Sequence, residues 1–93
     1  MARRAWIQYP GAVYHVLDRG DRRELIFLED GDRERFLTLL GQACVRTGWR
    51  VHAWVLMGNH YHLLIETPEA NLAAGMHWLQ SSYTAYFNCK HRL

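Results

Sequence analysis

The sequence predicts an α+β fold in which an antiparallel sheet carries helices on one face, with the element order β-α-β-β-α. Three observations predict it. Two segments repeat apolar residues at helical spacing, and three short segments are rich in β-branched and aromatic residues, which favour strands. The second and third of these strands are separated by only three residues, so we expect them to form a hairpin.

Composition limits the classes of protein to which the chain can belong. Its 93 residues are 49% hydrophobic and 22% charged with a net charge of +2, which predicts one globular domain over residues 1–93. No apolar run reaches the ~20 residues of a membrane span, and the N-terminus has no signal-peptide core. The two cysteines, Cys44 and Cys89, make no disulfide framework. We therefore expect a reduced, cytoplasmic protein.

The first half of the chain contains one strand and one helix. Ala12 to Asp18 is predicted as a strand, bounded by Pro10-Gly11 and by Gly20. An extended stretch from Glu24 to Leu28 follows, and then a helix that we expect an aspartate between residues 29 and 32 to cap. Gly48 ends this helix. Its apolar face is predicted to contain Phe36, Leu37, Leu40, Ala43 and Cys44.

The hairpin joins strands over Arg50 to Leu56 and His60 to Glu66. Gly58 and Asn59 in its turn both tolerate positive φ, and Pro68 ends the second strand. Simple alternation in the first strand puts Val51, Ala53 and Val55 on one face, opposite His52, Trp54 and Leu56. The second helix is predicted from about Asn71, as N-cap, to about Lys90. Its apolar stripe is Leu72, Met76, Leu79, Tyr83 and Tyr86.

This order is that of the ferredoxin-like split β-α-β fold without its last strand. In such a sheet the first strand is flanked on both sides, so the lack of a fourth strand leaves it with an open edge. The edge could be covered by Trp6 to Tyr9 or by another chain, or the sequence could be part of a longer protein.

Two histidines form the strongest candidate for chemistry. His60 and His62 are two residues apart on a predicted strand, so their side chains share a face and their α-carbons are about 6.6 Å apart. Two imidazoles at that separation can both bind one metal ion. Glu66, further along the same face, is expected to lie too far away and to face solvent. His15 is left open as a third ligand, because the first strand should pair with the third.

The histidines lie within a longer motif. The segment VLMGNHYHLLIE, from Val55 to Glu66, resembles the HUH signature of single-tyrosine transposases, and most of all that of the REP-associated tyrosine transposases. Gly58 and Tyr61 replace the usual proline and valine. Three further segments resemble that family in the same order and extend the resemblance over nearly the whole chain: Tyr14 to Arg23, Ile26 to Leu37 and Tyr83 to Asn88.

The resemblance implies cleavage and rejoining of single-stranded DNA at hairpin-forming ends. In the family, a tyrosine attacks a phosphodiester and leaves a 5′-phosphotyrosine and a free 3′-hydroxyl. The resemblance assigns a catalytic divalent metal, Mg or Mn, to His60 and His62, with Zn or Ni as other occupants. It also implies a homodimer.

The sequence departs from the family pattern in one respect. The family's nucleophilic tyrosine and a further polar metal ligand follow a fourth strand, and no such segment precedes Leu93. Tyr83 and Tyr86 are interpreted as packing residues of the second helix. The resemblance therefore predicts a truncated transposase domain that is inactive by itself.

Arginines are the candidate DNA ligands. Ten of the eleven basic residues are arginine, whose planar fork binds phosphate. Arg19, Arg22 and Arg23 follow the first strand, while Arg3 and Arg4 could form an N-terminal arm. The alternative is a solvated loop in which they pair with Asp18, Asp21 and Glu24. Two other functions stay open: a non-catalytic binder of DNA hairpins, and a structural domain in which His60, His62 and His15 hold zinc.

Overall fold

The structure, a computed structural model, describes residues 8–20 and 24–92 and confirms the predicted order of elements. The segment 24–28, predicted to be extended, is a loop that pairs with no strand along its length. None of the described helices is long and apolar enough to cross a membrane. The elements are β1 (Ala12–Arg19), α1 (Asp30–Thr47), β2 (Arg50–Leu56), β3 (His60–Thr67) and α2 (Leu72–His91).

The three strands form an antiparallel sheet in the order β1-β3-β2. Ala12 lies opposite Thr67 at one end of the β1–β3 pair, and Arg19 lies opposite His60 at the other. Within the described residues, β1 has a neighbouring strand on one side only, so the open edge expected from the sequence is present.

A bulge in β2 overturns the predicted faces of that strand. The register shifts between Val51, which lies opposite Ile65, and Ala53, which lies opposite Leu64. The extra residue reverses the alternation of all later side chains. Trp54 and Val51 therefore line one pocket, together with residues of α1. The prediction had placed these two side chains on opposite faces.

The core lies between the sheet and the two helices. The side chains of Leu63 and Ile65 are fully buried on the helix side of the sheet. Both predicted apolar stripes face them, which confirms the helical periodicity of the sequence. The buried members of the stripes are Phe36, Leu40 and Ala43 of α1 and Leu72, Met76, Leu79 and Tyr83 of α2.

The hairpin turn differs from the prediction. Gly58 and Asn59 were expected to allow positive φ, but neither residue adopts it. The turn is closed by the N–H of Met57, which donates to the carbonyl of His60 at 2.8 Å. The Gly58 carbonyl accepts from the N–H groups of Ile26 and Phe27, at 2.8 and 3.1 Å. The turn thus fixes the loop before α1 as well as the hairpin.

The helix termini differ from the prediction at the N-cap of α1. Glu29, not an aspartate, is the N-cap of α1, whereas Gly48 ends that helix with φ 80° as expected. Asn71 is the N-cap of α2 as predicted, but its side chain makes no cap bond. Instead its amide oxygen accepts from the Trp49 indole at 3.0 Å, and the Ala73 N–H at the start of α2 donates to the Gln8 side chain at 2.9 Å.

The contact between α2 and Trp49 gives a stability prediction. A Cβ at Gly75 would overlap Cζ2 of the buried Trp49 ring and lie 2.7 Å from its Cη2, whereas a Cβ at Gly41 of α1 would meet nothing within 4 Å. We expect Gly75→Ala to lower the free energy of unfolding by about 1–3 kcal/mol through overpacking. Gly41→Ala should raise it by about 0.5–1 kcal/mol through helix propensity alone. Urea denaturation followed by circular dichroism compares the two, and equal effects would contradict the packing at Gly75.

Candidate functional site

The sheet face that is turned away from the helices, called the open face below, carries an unusual mixture of side chains. Its apolar residues are substantially exposed: Val13 is 55%, Leu17 is 45% and Val55 is 50% accessible. Histidines of β1 and β3 lie among them, because side chains opposite one another in the register share a face. The open face comprises Val13, His15, Leu17, Arg19, Ala53, Val55, His60, His62, Leu64 and Glu66.

His60 and His62 lie side by side on the open face, as their spacing predicted. Their ring centroids are 5.2 Å apart and the ring planes are inclined by 80°. The His60 Nδ1 is 2.8 Å from Oδ1 of Asn59. An amide oxygen can only accept, so His60 donates through Nδ1, and in the neutral ring Nε2 is then the nitrogen that carries the lone pair.

His15 brings a third imidazole to this pair. Its Nε2 is 2.9 Å from Nδ1 of His62, and the two rings stack with centroids 5.1 Å apart. The pKa of His62 is lowered by loss of hydration and by the neighbouring His15, His60 and Arg19. A lowered pKa favours neutral imidazole, which is the form that binds metals.

The described part of the chain contains no group of three or more His, Cys, Asp or Glu side chains arranged to hold a metal ion. Among the described residues, the two histidines of β3 are therefore candidate metal ligands without a third ligand arranged beside them. His15 contacts His62 by a hydrogen bond. Glu66 was expected to face solvent, but its carboxylate has partners. One oxygen accepts from His52 Nε2 at 2.9 Å, and the other lies 3.6 Å from a guanidinium nitrogen of Arg50.

Of the five candidate DNA-binding arginines, the structure describes only Arg19. It is exposed and lies opposite His60 in the register, so it adds a positive charge beside the histidines. Arg3, Arg4, Arg22 and Arg23 lie outside the described residues. The suggested partner Asp18 is on the helix side of the sheet, where its carboxylate accepts from the Gln80 amide at 3.0 Å.

The hydroxyl groups of Tyr61, Tyr83 and Tyr86 are engaged on the helix side of the sheet. The Tyr83 hydroxyl donates to the Ile26 carbonyl, and Tyr86 donates to Asp32 at 2.9 Å. The Tyr61 hydroxyl accepts from Gln80 at 3.1 Å. Burial raises the pKa of both Tyr61 and Tyr83, which opposes formation of a phenolate. Tyr83 and Tyr86 thus pack as the sequence analysis interpreted them.

The other two tyrosines also do not lie beside His60 and His62. Tyr14 lies opposite Ile65, on the helix side. Tyr9 is 55% exposed but precedes β1 at the Thr67 end of the sheet. The eight residues of β3 separate that end from His60 by about 23 Å at the usual strand rise.

The sequence analysis missed the roles of two residues, one of which contacts a candidate metal-binding histidine and the other a tyrosine of α2. Asn59 precedes His60 and holds its ring, a role that its place in the hairpin turn did not indicate. Asp32, fully buried, accepts from the side chains of Tyr86, Lys90 and His91. The acidic run at the start of α1 was the only sequence signal for it.

Comparison with known families assigns the chain to a family. The sequence profile of the family described as IS200-like transposases matches residues 8–92. The chain belongs to this family. The match includes both histidines and Arg19, so the resemblance seen in the sequence is confirmed. A comparison with curated proteins gives no significant match.

A solved structure confirms the fold class of this IS200-like transposase chain. The structure of a REP-associated tyrosine transposase bound to a REP hairpin superimposes with a TM-score of 0.71 at 16% sequence identity. The alignment covers 92% of this chain and 52% of the other. The chain thus spans about half the length of that transposase.

Proposed function

We propose that this chain supplies the histidine and DNA-binding part of a transposase that cleaves and rejoins hairpin-forming ends of single-stranded DNA through a tyrosine. The observation that carries the proposal is the placement of His60 and His62 beside the exposed Arg19, on the open face of a family fold. Imidazoles next to a phosphate-binding cation suit a metal-assisted reaction at a phosphodiester.

His60 and His62 are the proposed metal ligands and catalytic residues. Their donor set fits: because Nδ1 of His60 donates to Asn59, Nε2 is the nitrogen left for a metal in the neutral ring, and the lowered pKa of His62 favours its neutral form. Mg or Mn is the proposed functional ion, whereas Zn or Ni would bind the same nitrogens more tightly. When bound, the ion would polarise the scissile phosphate. Two imidazoles leave further coordination positions for water or DNA oxygens.

The proposed DNA contacts begin at the open face. Arg19 would bind a phosphate next to the histidines, and Arg22 and Arg23 would bind phosphates that follow it. Arg3 and Arg4 would reach the base of the hairpin. The exposed apolar residues Leu17 and Val55 would contact sugars and unstacked bases. The related structure, bound to a REP hairpin, supports this class of ligand.

We further propose that the nucleophilic tyrosine is not among the five in this sequence. Three have engaged hydroxyls behind the sheet, Tyr14 faces the same side, and Tyr9 is at its far end. Tyrosine attack requires in-line approach to the phosphate at about 3–3.5 Å. The chain alone would bind a hairpin without cutting it, which is also the behaviour of a non-catalytic hairpin-binding remnant.

A homodimer in the cytoplasm completes the proposal. Within the described residues β1 has one free edge, and exposed backbone groups on an edge strand favour pairing with another chain. A structural zinc domain is the weaker alternative, because the core is built from apolar side chains on the opposite face of the sheet from the histidines. Light scattering that finds a stable monomer would contradict the dimer.

Hairpin binding tests the proposed function directly. Arg19, Arg22 and Arg23 together should contribute about −2 to the log–log salt slope for binding of a fluorescent single-stranded hairpin, since each phosphate contact contributes about −0.7 on single strands. In Arg19→Ala/Arg22→Ala/Arg23→Ala, affinity should fall and the slope should become shallower by about 2, while the contribution of Arg3 and Arg4 is retained. A matched control, Arg35→Ala/Arg46→Ala/Arg92→Ala, removes three positive charges from the helix layer. Arg35 and Arg46 stack there on Tyr86 and Trp78. Equal loss in both variants would contradict a specific DNA surface on the open face.

A further inference from the structure

We infer that Asn59 and His15 are positioning residues for the two histidines of β3. Each holds the Nδ1 atom of one ring, so that Nε2 of both His60 and His62 is the unprotonated nitrogen available to a metal. This inference rests on the proposed function, because it concerns how the same site is prepared before an ion binds.

For His60 the partner is an amide oxygen. Asn59 Oδ1 is an acceptor, and at 2.8 Å it requires the proton of His60 to be on Nδ1. The backbone of Asn59 is itself fixed, since its carbonyl accepts from the Gly20 N–H at 2.9 Å. The acceptor is therefore attached to both the hairpin turn and the end of β1, and its side chain selects one tautomer of the neighbouring ring.

For His62 the partner is another imidazole. His15 Nε2 and His62 Nδ1 share one proton across 2.9 Å. If His62 donates, its Nε2 is free for a metal; if His15 donates, His62 must carry its proton on Nε2 and cannot bind a metal there. The proposed site therefore requires His62 as the donor and His15 as the acceptor, protonated on its own Nδ1.

Such contacts are the usual way in which proteins orient metal-binding histidines. A hydrogen bond to the second ring nitrogen fixes the tautomer and the ring orientation, and its removal lowers metal affinity by about 10–100-fold. His15 is exposed and lies outside the core, and its ring stacks on His62 at a centroid distance of 5.1 Å. The burial of the sheet's helix side does not depend on it.

Histidine tautomers in the metal-free protein give a readout that a merely structural role would not move. Long-range ¹⁵N–¹H spectra, recorded well above the usual histidine pKa, should show Nδ1 protonated in both His60 and His62. We expect Asn59→Ala to alter the tautomer of His60 only and His15→Ala that of His62 only. Asn59→Asp retains an acceptor and should preserve the wild-type state of His60. His77→Ala, at an exposed position of α2, is the matched control.

Calorimetric titration with Mn²⁺ completes the test. Asn59→Ala and His15→Ala should each weaken binding by about 10–100-fold with one ion still bound, and His77→Ala should not. A proton on Nε2 of His60 or His62 in the wild type, or unchanged Mn²⁺ affinity in both variants, would overturn the inference. Loss of all binding in His15→Ala would make His15 a ligand and overturn its positioning role. Failure of the wild type to bind Mn²⁺, with the expected tautomers present, would refute the proposed metal site and leave the positioning intact.

Discussion

Replacing Asp32 with alanine is expected to lower the free energy of unfolding by about 3–5 kcal/mol, because it would remove a fully buried carboxylate that accepts hydrogen bonds from five groups. A domain of this size is stabilised by only about 5–14 kcal/mol in total. The side chain of Asp32 is fully buried, and no other side chain of the core is a carboxylate among the described residues.

The contacts of Asp32 explain the size of this effect. Its carboxylate accepts from the N–H groups of Leu28 and Glu29, at 2.9 and 3.3 Å, before α1. It also accepts from the end of α2, so one residue connects the two helices and the loop. The donors on α2 are the hydroxyl of Tyr86 at 2.9 Å, Nζ of Lys90 at 3.3 Å and Nε2 of His91 at 3.0 Å.

These contacts also predict a dependence on pH. Burial acts to raise the pKa of Asp32, but the hydrogen bonds from Leu28, Tyr86, His91 and Lys90 outweigh it and hold the pKa well below the usual value. A lowered folded-state pKa contributes stability that is complete above the unfolded pKa of about 4 and is lost as pH falls toward the folded value. The difference between wild type and Asp32→Ala should therefore shrink in acid.

Urea denaturation at neutral pH and below about pH 4 measures both effects. Asp30→Ala is the matched control, because Asp30 lies in the same turn with a side chain that is 96% accessible and pairs only loosely with Arg33 at 3.6 Å. The control should change stability by less than about 1 kcal/mol. A similar small change in Asp32→Ala would contradict the role of the buried carboxylate.

The double variant His60→Ala/His62→Ala is expected to lose measurable Mn²⁺ binding. The two imidazoles are the proposed nitrogen ligands, and the described part of the chain offers no alternative group of three metal-binding side chains. Since both rings lie on the open face, opposite the core, the variant should keep its fold. Isothermal titration with Mn²⁺ measures the loss.

The control for this variant is His52→Ala/His77→Ala, which removes two exposed imidazoles from other places. His52 contacts Glu66 at the other end of the hairpin, and His77 is on α2. This control should bind Mn²⁺ as the wild type does. Equal affinity in the wild type and in His60→Ala/His62→Ala would refute the proposed site.

The sequence predicted what depends on local periodicity. The stripe of α2 and the shared face of His60 and His62 both follow from fixed repeats along one element, and the structure has them where the repeats place them. Gly48 ended α1 as predicted for a similar reason, since the left-handed C-cap is a local requirement.

Contacts between distant segments were not predictable in this way. The bulge at residues 51–53 of β2 breaks the period of two, and no residue type in that strand indicates it. Asp32 was expected only as a possible helix cap, because its partners are 54–59 residues further along the chain. The contact of His15 with His62 likewise depends on the register of β1 against β3.

We propose that this IS200-like transposase chain contributes the histidine pair and the DNA surface, and that the attacking tyrosine is not among its own five. The most direct measurement incubates the protein with Mn²⁺ and a labelled single-stranded hairpin, followed by native and denaturing gels of the same samples. We expect a shifted complex on the native gel and no covalent band on the denaturing gel. A covalent band that disappears in a Tyr→Phe variant of Tyr9, Tyr14, Tyr61, Tyr83 or Tyr86 would contradict it.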